Sequence, residues 1–278
     1  MPAASHCAAP ATRWRAPLLL KASAVCHLGA AGVVAAAPPL WPWALGAVVL
    51  DHALLTATGL WPRSTWLGSN VRRLPDAAAQ RREVAVTLDD GPDPDTTPQV
   101  LDILEAQGAR ATFFCIAQQA ERHPVLAREI VRRGHSVQNH SLRHRHNFSL
   151  LGPTGLQREI GTAQDRLAQV TGQRPTCFRA PAGLRNLFLD PVLHAQGLRL
   201  VSWTRRGFDT RQSDPQAVLA QLTRGLAAGD IVLLHDRHGA VMTDGRPVVL
   251  AALPALLQRI AAAGLHTTTL PEALAPCT

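Results

Sequence analysis

The chain has 278 residues, enough for one large domain of about 200 residues plus an appendage. Its formal charge of +8 comes almost wholly from arginine, since Lys21 is the only lysine, and the arginines stand singly or in pairs such as Arg72-Arg73 and Arg205-Arg206. Nucleic-acid binding needs clustered basic charge among stacking aromatics. With no long basic run and only 4% aromatics, the composition speaks against nucleic acid and fits anionic lipid headgroups better.

The five cysteines, Cys7, Cys26, Cys115, Cys177 and Cys277, are odd in number and contain no Cys-x-x-Cys pair. Neither a disulfide framework nor a thiolate zinc site follows from them. Cys115 and Cys177 sit inside apolar strand patterns and read as small core residues.

Residues Met1 to Pro17 are polar, small and lightly basic. Two apolar stretches follow, 18–37 and 40–61, split by Pro38-Pro39. Each approaches the roughly 20 residues that span a bilayer as a helix. Trp41, Trp43 and Trp61 stand near the ends of the second stretch, where interfacial aromatics belong. Lys21 and His27 interrupt the first stretch and Asp51-His52 the second, and a carboxylate at such depth is costly unless paired.

Three readings stay open: a two-helix transmembrane hairpin, a signal peptide ending near Ala35-Ala36-Ala37, or a single anchor with an interfacial second segment. The hairpin is the expectation taken forward. Arg13 and Arg15 precede the pair, and Arg63, Arg72 and Arg73 follow it. If both helices cross, the positive-inside rule puts both ends in the cytoplasm, at the inner membrane of a bacterium. The expected organisation is an N-terminal membrane anchor over 1–62, an irregular linker over 63–82 and a catalytic domain over 83–278.

After Val84 the pattern alternates between short apolar strands and amphipathic helices. Strands are expected at 84–88, 111–117, 135–139, 176–179, 198–204, 230–234 and 265–270. Helices are expected at 97–107, 124–133, 154–170, 189–195, 215–227 and 248–263, several of them closed by glycine. Seven strands joined by helices make an α/β parallel sheet buried on both faces, either open or closed into a barrel.

Active sites of parallel α/β folds gather at the C-terminal strand ends. The first strand there runs into Asp89-Asp90, the third into His140-Ser141-Leu142-Arg143-His144 and the fourth into Arg179-Ala180-Pro181. The fifth leads to Asp209, and the sixth ends in His235-Asp236. Adjacent strand residues point to opposite faces, so Asp89 and Asp90 should diverge and take different tasks. His140 and His144 are four apart, which on a helical turn aims both imidazoles one way. Two imidazoles and one carboxylate, with Asp90 the natural carboxylate, make a catalytic zinc-type ligand set. A solvated Asp-Gly-Pro turn and a polar histidine-rich loop are the plainer readings of these stretches taken singly.

Thr87-Leu88-Asp89-Asp90-Gly91-Pro92, His140-Ser141-Leu142-Arg143-His144, Arg179-Ala180-Pro181-Ala182-Gly183 and Leu233-Leu234-His235-Asp236 together resemble the ordered motifs of the polysaccharide deacetylases, the NodB-homology domains of carbohydrate esterase family 4. The resemblance covers about Val84 to Leu270 and implies a distorted seven-stranded (β/α) barrel. It implies a metal-dependent hydrolase that removes an N-acetyl or other N-acyl group from an amino-sugar glycan. Asp89 then corresponds to the general base, His235 to the general acid, and Asp90, His140 and His144 to the metal ligands. The resemblance further implies Arg179 as the residue orienting the catalytic aspartate, Asp209 as the acidic residue of the fourth motif, and Pro181 and Ala182 beside the oxyanion. The implied cofactor is a divalent ion, zinc first, with cobalt or nickel as alternatives.

The chain departs from the family at Leu88, where phenylalanine is usual, and at Ala182, where tyrosine is common. It also departs across Trp203–Thr210, which lacks the Asp-Trp pair. A smaller or lipid-linked sugar, deacylated or deformylated at the cytoplasmic face, fits that altered wall as well as a long polymer does. A silent glycan-binding module is the contrasting class, and an intact set of base, acid and ligands speaks against it. His146, His238 and Asp236 fall near the site without an assigned role.

Overall fold

The structure is a computed structural model that describes residues 13–275. Cys7, Cys277 and most of the Met1–Pro17 segment lie outside the described residues. Two long apolar helices come first, α1 (Leu18–Ala36) and α2 (Trp41–Leu60), joined by a tight turn at Pro38–Leu40. Both are long and apolar enough to cross a membrane. They pack on each other through their polar residues. Ser23 is buried and donates from Oγ to Asp51 Oδ2 at 2.7 Å, and His27 Nε2 lies 3.2 Å from His52 Nε2. The carboxylate that the sequence places mid-helix is thus paired across the hairpin.

The stretch expected to be an irregular linker carries a short helix, α3 (Asp76–Gln80), whose Ala78 is buried together with Leu74. Then follow β1 (Glu83–Asp89), α4 (Thr97–Ala106), β2 (Ala111–Cys115), α5 (Ala117–Arg122), α6 (Pro124–Arg132) and β3 (Ser136–Asn139). The chain continues through α7 (Pro153–Thr171), β4 (Cys177–Phe178), α8 (Leu189–Ala195), β5 (Arg199–Leu200) and β6 (Arg205–Arg206). It ends with α9 (Pro215–Thr223), β7 (Ile231–His235), α10 (Val249–Ala262), β8 (His266–Thr267) and α11 (Leu270–Ala273).

All strand pairings are parallel, in the order β5-β4-β3-β2-β1-β7-β6, with β8 joined to the start of β1. The result is a curled half-barrel with seven strands along its path and the short β8 beside β1, the distorted (β/α) architecture expected. Alternate residues of one strand serve two cores. Val84, Val86 and Leu88 of β1 pack outward with Val232 and Leu234 against the helical layer, including Leu101 of α4 and Leu253 of α10. Ala85, Phe114, Cys177, Val201 and Ile231 face the barrel interior, which Leu74, Ala78, Leu270 and Ala273 close.

One expected strand is different. The run 198–204 breaks into β5 and, beyond it, β6. The reason is the buried Arg179, which takes the carbonyls of Val201 (from Nε, 3.3 Å) and Ser202 (from Nη2, 3.0 Å) out of the ladder. Val71, from the segment before the domain, pairs with Val201 and covers the β5 side of that break. The helices α5 and α11 are additions that short, unperiodic sequence did not announce.

Candidate active site

The register places the functional side chains on one rim. Asp89 pairs with His235 across β1 and β7 and with Phe114 across β1 and β2, while Asn139, just before His140, pairs with Phe178, just before Arg179. Five of the residues expected at the site (Asp89, Asp90, His140, Arg179 and His235) therefore meet because neighbouring strands end level.

Asp89 and Asp90 do diverge. Asp90 adopts φ 78°, a left-handed conformation that turns its carboxylate away from that of Asp89. Asp89 Oδ1 accepts from Arg179 Nη1 at 2.6 Å, and the same nitrogen donates to Thr87 Oγ at 2.8 Å. Asp90 Oδ1 faces His140 Nε2 at 3.2 Å and His144 Nε2 at 3.3 Å. These three residues form a group able to hold a metal ion.

The two histidines do not lie on a helical turn, as their spacing suggested. Residues 140–144 form a loop with Ser141 at φ 67° and His144 at φ 52°. Local side-chain bonds hold it: Ser141 N–H donates to Asn139 Oδ1 at 2.8 Å and His144 N–H to Ser141 Oγ at 3.0 Å. His140 Nδ1 donates to the Arg179 carbonyl at 2.9 Å, which leaves the Nε2 lone pair pointing at Asp90.

The residues present fit a divalent cation. Asp90 Oδ1 is buried and has no hydrogen-bond partner among the described residues, although two imidazole nitrogens stand beside it. Lone pairs that converge without a proton between them are the donor set of a metal site. Burial would raise the Asp90 pKa, but the close imidazoles of His140 and His238, with the neighbouring His144, hold it well below the usual carboxylate range. Burial would lower His140, yet the Asp89 charge and the Asp90 contact raise it. His144 goes the other way, down to about 4, through burial and the neighbouring His140 charge.

His235 Nδ1 lies 3.0 Å from Asp209 Oδ1, and His235 N–H donates to Asp209 Oδ2 at 2.7 Å. Burial opposes the imidazolium, while the Asp209 bond and charge raise its pKa above the ordinary value. Pro181 and Ala182 form a turn in which Ala182 has φ 55°, and Gly183 and Leu184 N–H bond back to Ala180 and Pro181 carbonyls. The Ala182 N–H is left out of that backbone pairing.

Of the residues without an assigned role, His146 is exposed, whereas His238 Nδ1 sits 3.2 Å from Asp90 Oδ2. Asp236 is buried and accepts from Thr97 Oγ at 2.5 Å. The partner Phe114 was not singled out in the sequence, because as an ordinary strand residue it carries no motif signal, and Thr87 stood in the first motif without a role of its own.

The polysaccharide deacetylase profile matches residues 76–201. A peptidoglycan-N-acetylglucosamine deacetylase of Bacillus cereus is 31% identical over 193 residues, 69% of this chain and 87% of the relative. A chitooligosaccharide deacetylase of Azorhizobium caulinodans is 32% identical over 195 residues, 68% of this chain and 92% of the relative. Among solved structures, the family 4 carbohydrate esterase from Streptomyces lividans in complex with acetate superposes with a TM-score of 0.60 at 34% identity, covering 66% of this chain and 91% of that one. The half-barrel, the ordered rim motifs and these relatives together establish that the chain belongs to the polysaccharide deacetylase family, carbohydrate esterase family 4.

Proposed function

We propose that this chain is a membrane-anchored, metal-dependent N-deacetylase of an N-acetylated amino-sugar glycan. The observation that carries the reading is the orphaned Asp90 Oδ1 between two imidazoles, beside a second carboxylate held separately by Arg179. Asp90, His140 and His144 would hold the ion; zinc suits an Asp-His-His set, with cobalt or nickel as alternatives. A divalent ion there supplies Lewis acidity toward the acyl oxygen and toward water.

The chain's own groups do the proton work. Asp89, with Oδ1 committed to Arg179, keeps Oδ2 for the proton of the attacking water. His235, kept protonated by Asp209, delivers a proton to the leaving amine. The unused Ala182 N–H is the donor for the negative charge that develops on the acyl oxygen.

The organisation we infer is an anchor over 1–62, a connecting segment over 63–82 and a catalytic domain over 83–278, with the domain in the cytoplasm. A lipid-linked sugar is a second reading of the substrate, and one contact favours it: a methyl group added at Gly183, in the active-site turn, would meet Pro62 at the end of the hairpin at 2.7 Å. The turn and the anchor touch, so the mouth opens close to the membrane surface.

The test is release of acetate from an acetylated chitooligosaccharide by the wild-type chain and by Asp89→Asn. The variant should keep its metal and lose deacetylation; an unchanged rate sinks the assignment of the base. A C-terminal reporter active on one side of the membrane separates the topologies. An exported reporter would redirect the search to cell-wall polymers.

A further inference from the structure

The barrel mouth holds a column of alternating rings and guanidinium groups. Arg179 Cζ lies 4.1 Å from the Phe114 ring centre and 6.0 Å from that of Trp203. On the far side, Arg206 Cζ lies 5.3 Å from Trp203 and 5.1 Å from Phe208. The inner guanidinium is fully committed to Asp89, Thr87 and two carbonyls. The outer one is not.

The Arg206 side chain makes no hydrogen bond or ion pair among the described residues, and its Nε is buried without a partner. Its neighbour Arg205 shows what an engaged arginine looks like on the same strand. Arg205 points the other way, to Asp230 at 2.8 Å and to the carbonyls of Arg224 and Gly225. Alternation along β6 therefore sends Arg205 to a structural ion pair and Arg206 to the mouth, beside Trp203.

Phe208 is 51% exposed and held at φ 56°, a conformation that costs an aromatic residue. Such strain persists where the surroundings enforce it and is concentrated at ligand clamps. Here the enforcement is Asp209, the next residue, tied to His235 by two bonds. Phe208 is thereby set beside Asp209, the partner of the residue assigned as general acid.

A guanidinium flanked by two aromatic rings, with no carboxylate paired to it, is suited to bind a phosphate or carboxylate through its terminal N–H groups. A neutral acetylglucosamine oligomer has no use for that charge. We propose that Arg206, with Phe208 as the wall for the sugar ring, forms a subsite for an anionic substituent of the acylated sugar. The subsite lies on the hairpin side of the mouth: a methyl at Gly183 would meet both Trp203 and Pro62, and Arg63 Nη1 reaches the Thr204 carbonyl at 3.5 Å. The proposal rests on the deacetylase reading and deepens it by naming the substrate class.

The test compares kcat/KM of the full-length, metal-loaded protein in detergent on three probes. These are diacetylchitobiose (neutral), N-acetylglucosamine 1-phosphate, and N-acetylglucosaminyl-N-acetylmuramic acid (a carboxylate). At least one anionic probe should be preferred over the neutral one by roughly tenfold or more, mainly through KM, the range expected of a charge-assisted bond. Which anionic probe is preferred identifies phosphate or carboxylate as the source. Arg206→Gln should collapse that preference to about twofold or less, and Arg206→Lys should keep part of it. Where the probes are hydrolysed, equal turnover of neutral and anionic probes by the wild type, or a preference that survives Arg206→Gln, overturns the subsite.

Calorimetry with the two anionic probes reads the subsite apart from turnover. Saturable binding to the wild type, absent in a folded Arg206→Gln, upholds the subsite even if no probe is hydrolysed, in which case the deacetylase reading alone has failed. Equal binding to both proteins, or to neither, overturns it.

Discussion

Arg179 Nη1 donates to Asp89 Oδ1 at 2.6 Å with both side chains almost completely buried, at 1% and 5% exposure. An ion pair this deep is sustained only when the remaining donors are also satisfied. Here they are, by Thr87 Oγ and by the carbonyls of Val201 and Ser202. Burial lowers the Arg179 pKa, and the Asp89 charge and hydrogen bond offset only part of that fall. The arginine thus acts as a positioning residue: it holds one oxygen of Asp89 and leaves Oδ2, 3.9 Å from His140 Nε2, facing the site.

Arg179→Ala should strand the Asp89 carboxylate and cost roughly 3 to 5 kcal/mol of stability, as breaking a buried pair does. Arg179→Lys keeps the charge but cannot span Asp89 and both carbonyls, so it should recover folding more than turnover. Urea melts read the first effect and kcat the second. An alanine variant as stable as wild type would remove Arg179 from this role.

The Asp209–His235 contact predicts a pH signature. A raised imidazole pKa means that the acid form survives to higher pH and is lost as pH climbs through the shifted value. The basic limb of the kcat profile should therefore lie above the ordinary histidine value of 6.5. Asp209→Asn removes the charge and part of the hydrogen bonding, so its basic limb should move to lower pH. Identical limbs in the two proteins would show that Asp209 does not tune the acid.

His238 gives a third prediction, since it bonds the second oxygen of the metal-ligand candidate Asp90 at 3.2 Å. Partners of ligating groups orient them, and their loss typically weakens metal binding by roughly 10- to 100-fold. His238→Ala should do this without changing the ligand count, whereas His140→Ala should abolish stoichiometric metal. Chelator competition followed by metal analysis measures both. Wild-type affinity in His238→Ala would leave that histidine without a part in the site.

Much of the site was legible because its residues close strands, and strand ends are marked by a change from apolar to polar. Asp89, Asp90, Arg179 and His235 all carry that mark, and parallel register brings them level. What stayed hidden is set by backbone geometry rather than residue type. The 140–144 loop has the i,i+4 spacing of a helix but is built from two left-handed residues and side-chain bonds to its own backbone. The break between β5 and β6 was equally invisible, since an apolar run reads as one strand until a buried guanidinium captures its carbonyls. Val71, Leu74 and Ala78 looked like linker residues for a related reason. Isolated apolar positions show no period, yet they cover the sheet edge and plug the barrel.

Asp236 gives the last prediction, one of stability rather than rate. Its Oδ2 accepts from Thr97 Oγ at 2.5 Å, while Oδ1 is buried without a partner. Burial pushes the pKa up to about 7 from the usual 3.8, and the nearby Asp90 and Asp93 charges add to the rise. The folded state therefore prefers the protonated acid. Below about pH 4 both states are protonated and the group adds no penalty. Between about 4 and 7 the unfolded chain ionises first, so the folded state loses ground, and above about 7 the penalty is complete. Asp236→Asn keeps an acceptor for Thr97 and carries no charge. Its stability advantage over wild type should grow from pH 4 to 7 and then level off at no more than a few kcal/mol. Urea melts across that range decide the matter, and an advantage that does not vary with pH would mean that Asp236 is not the buried acid this geometry makes it.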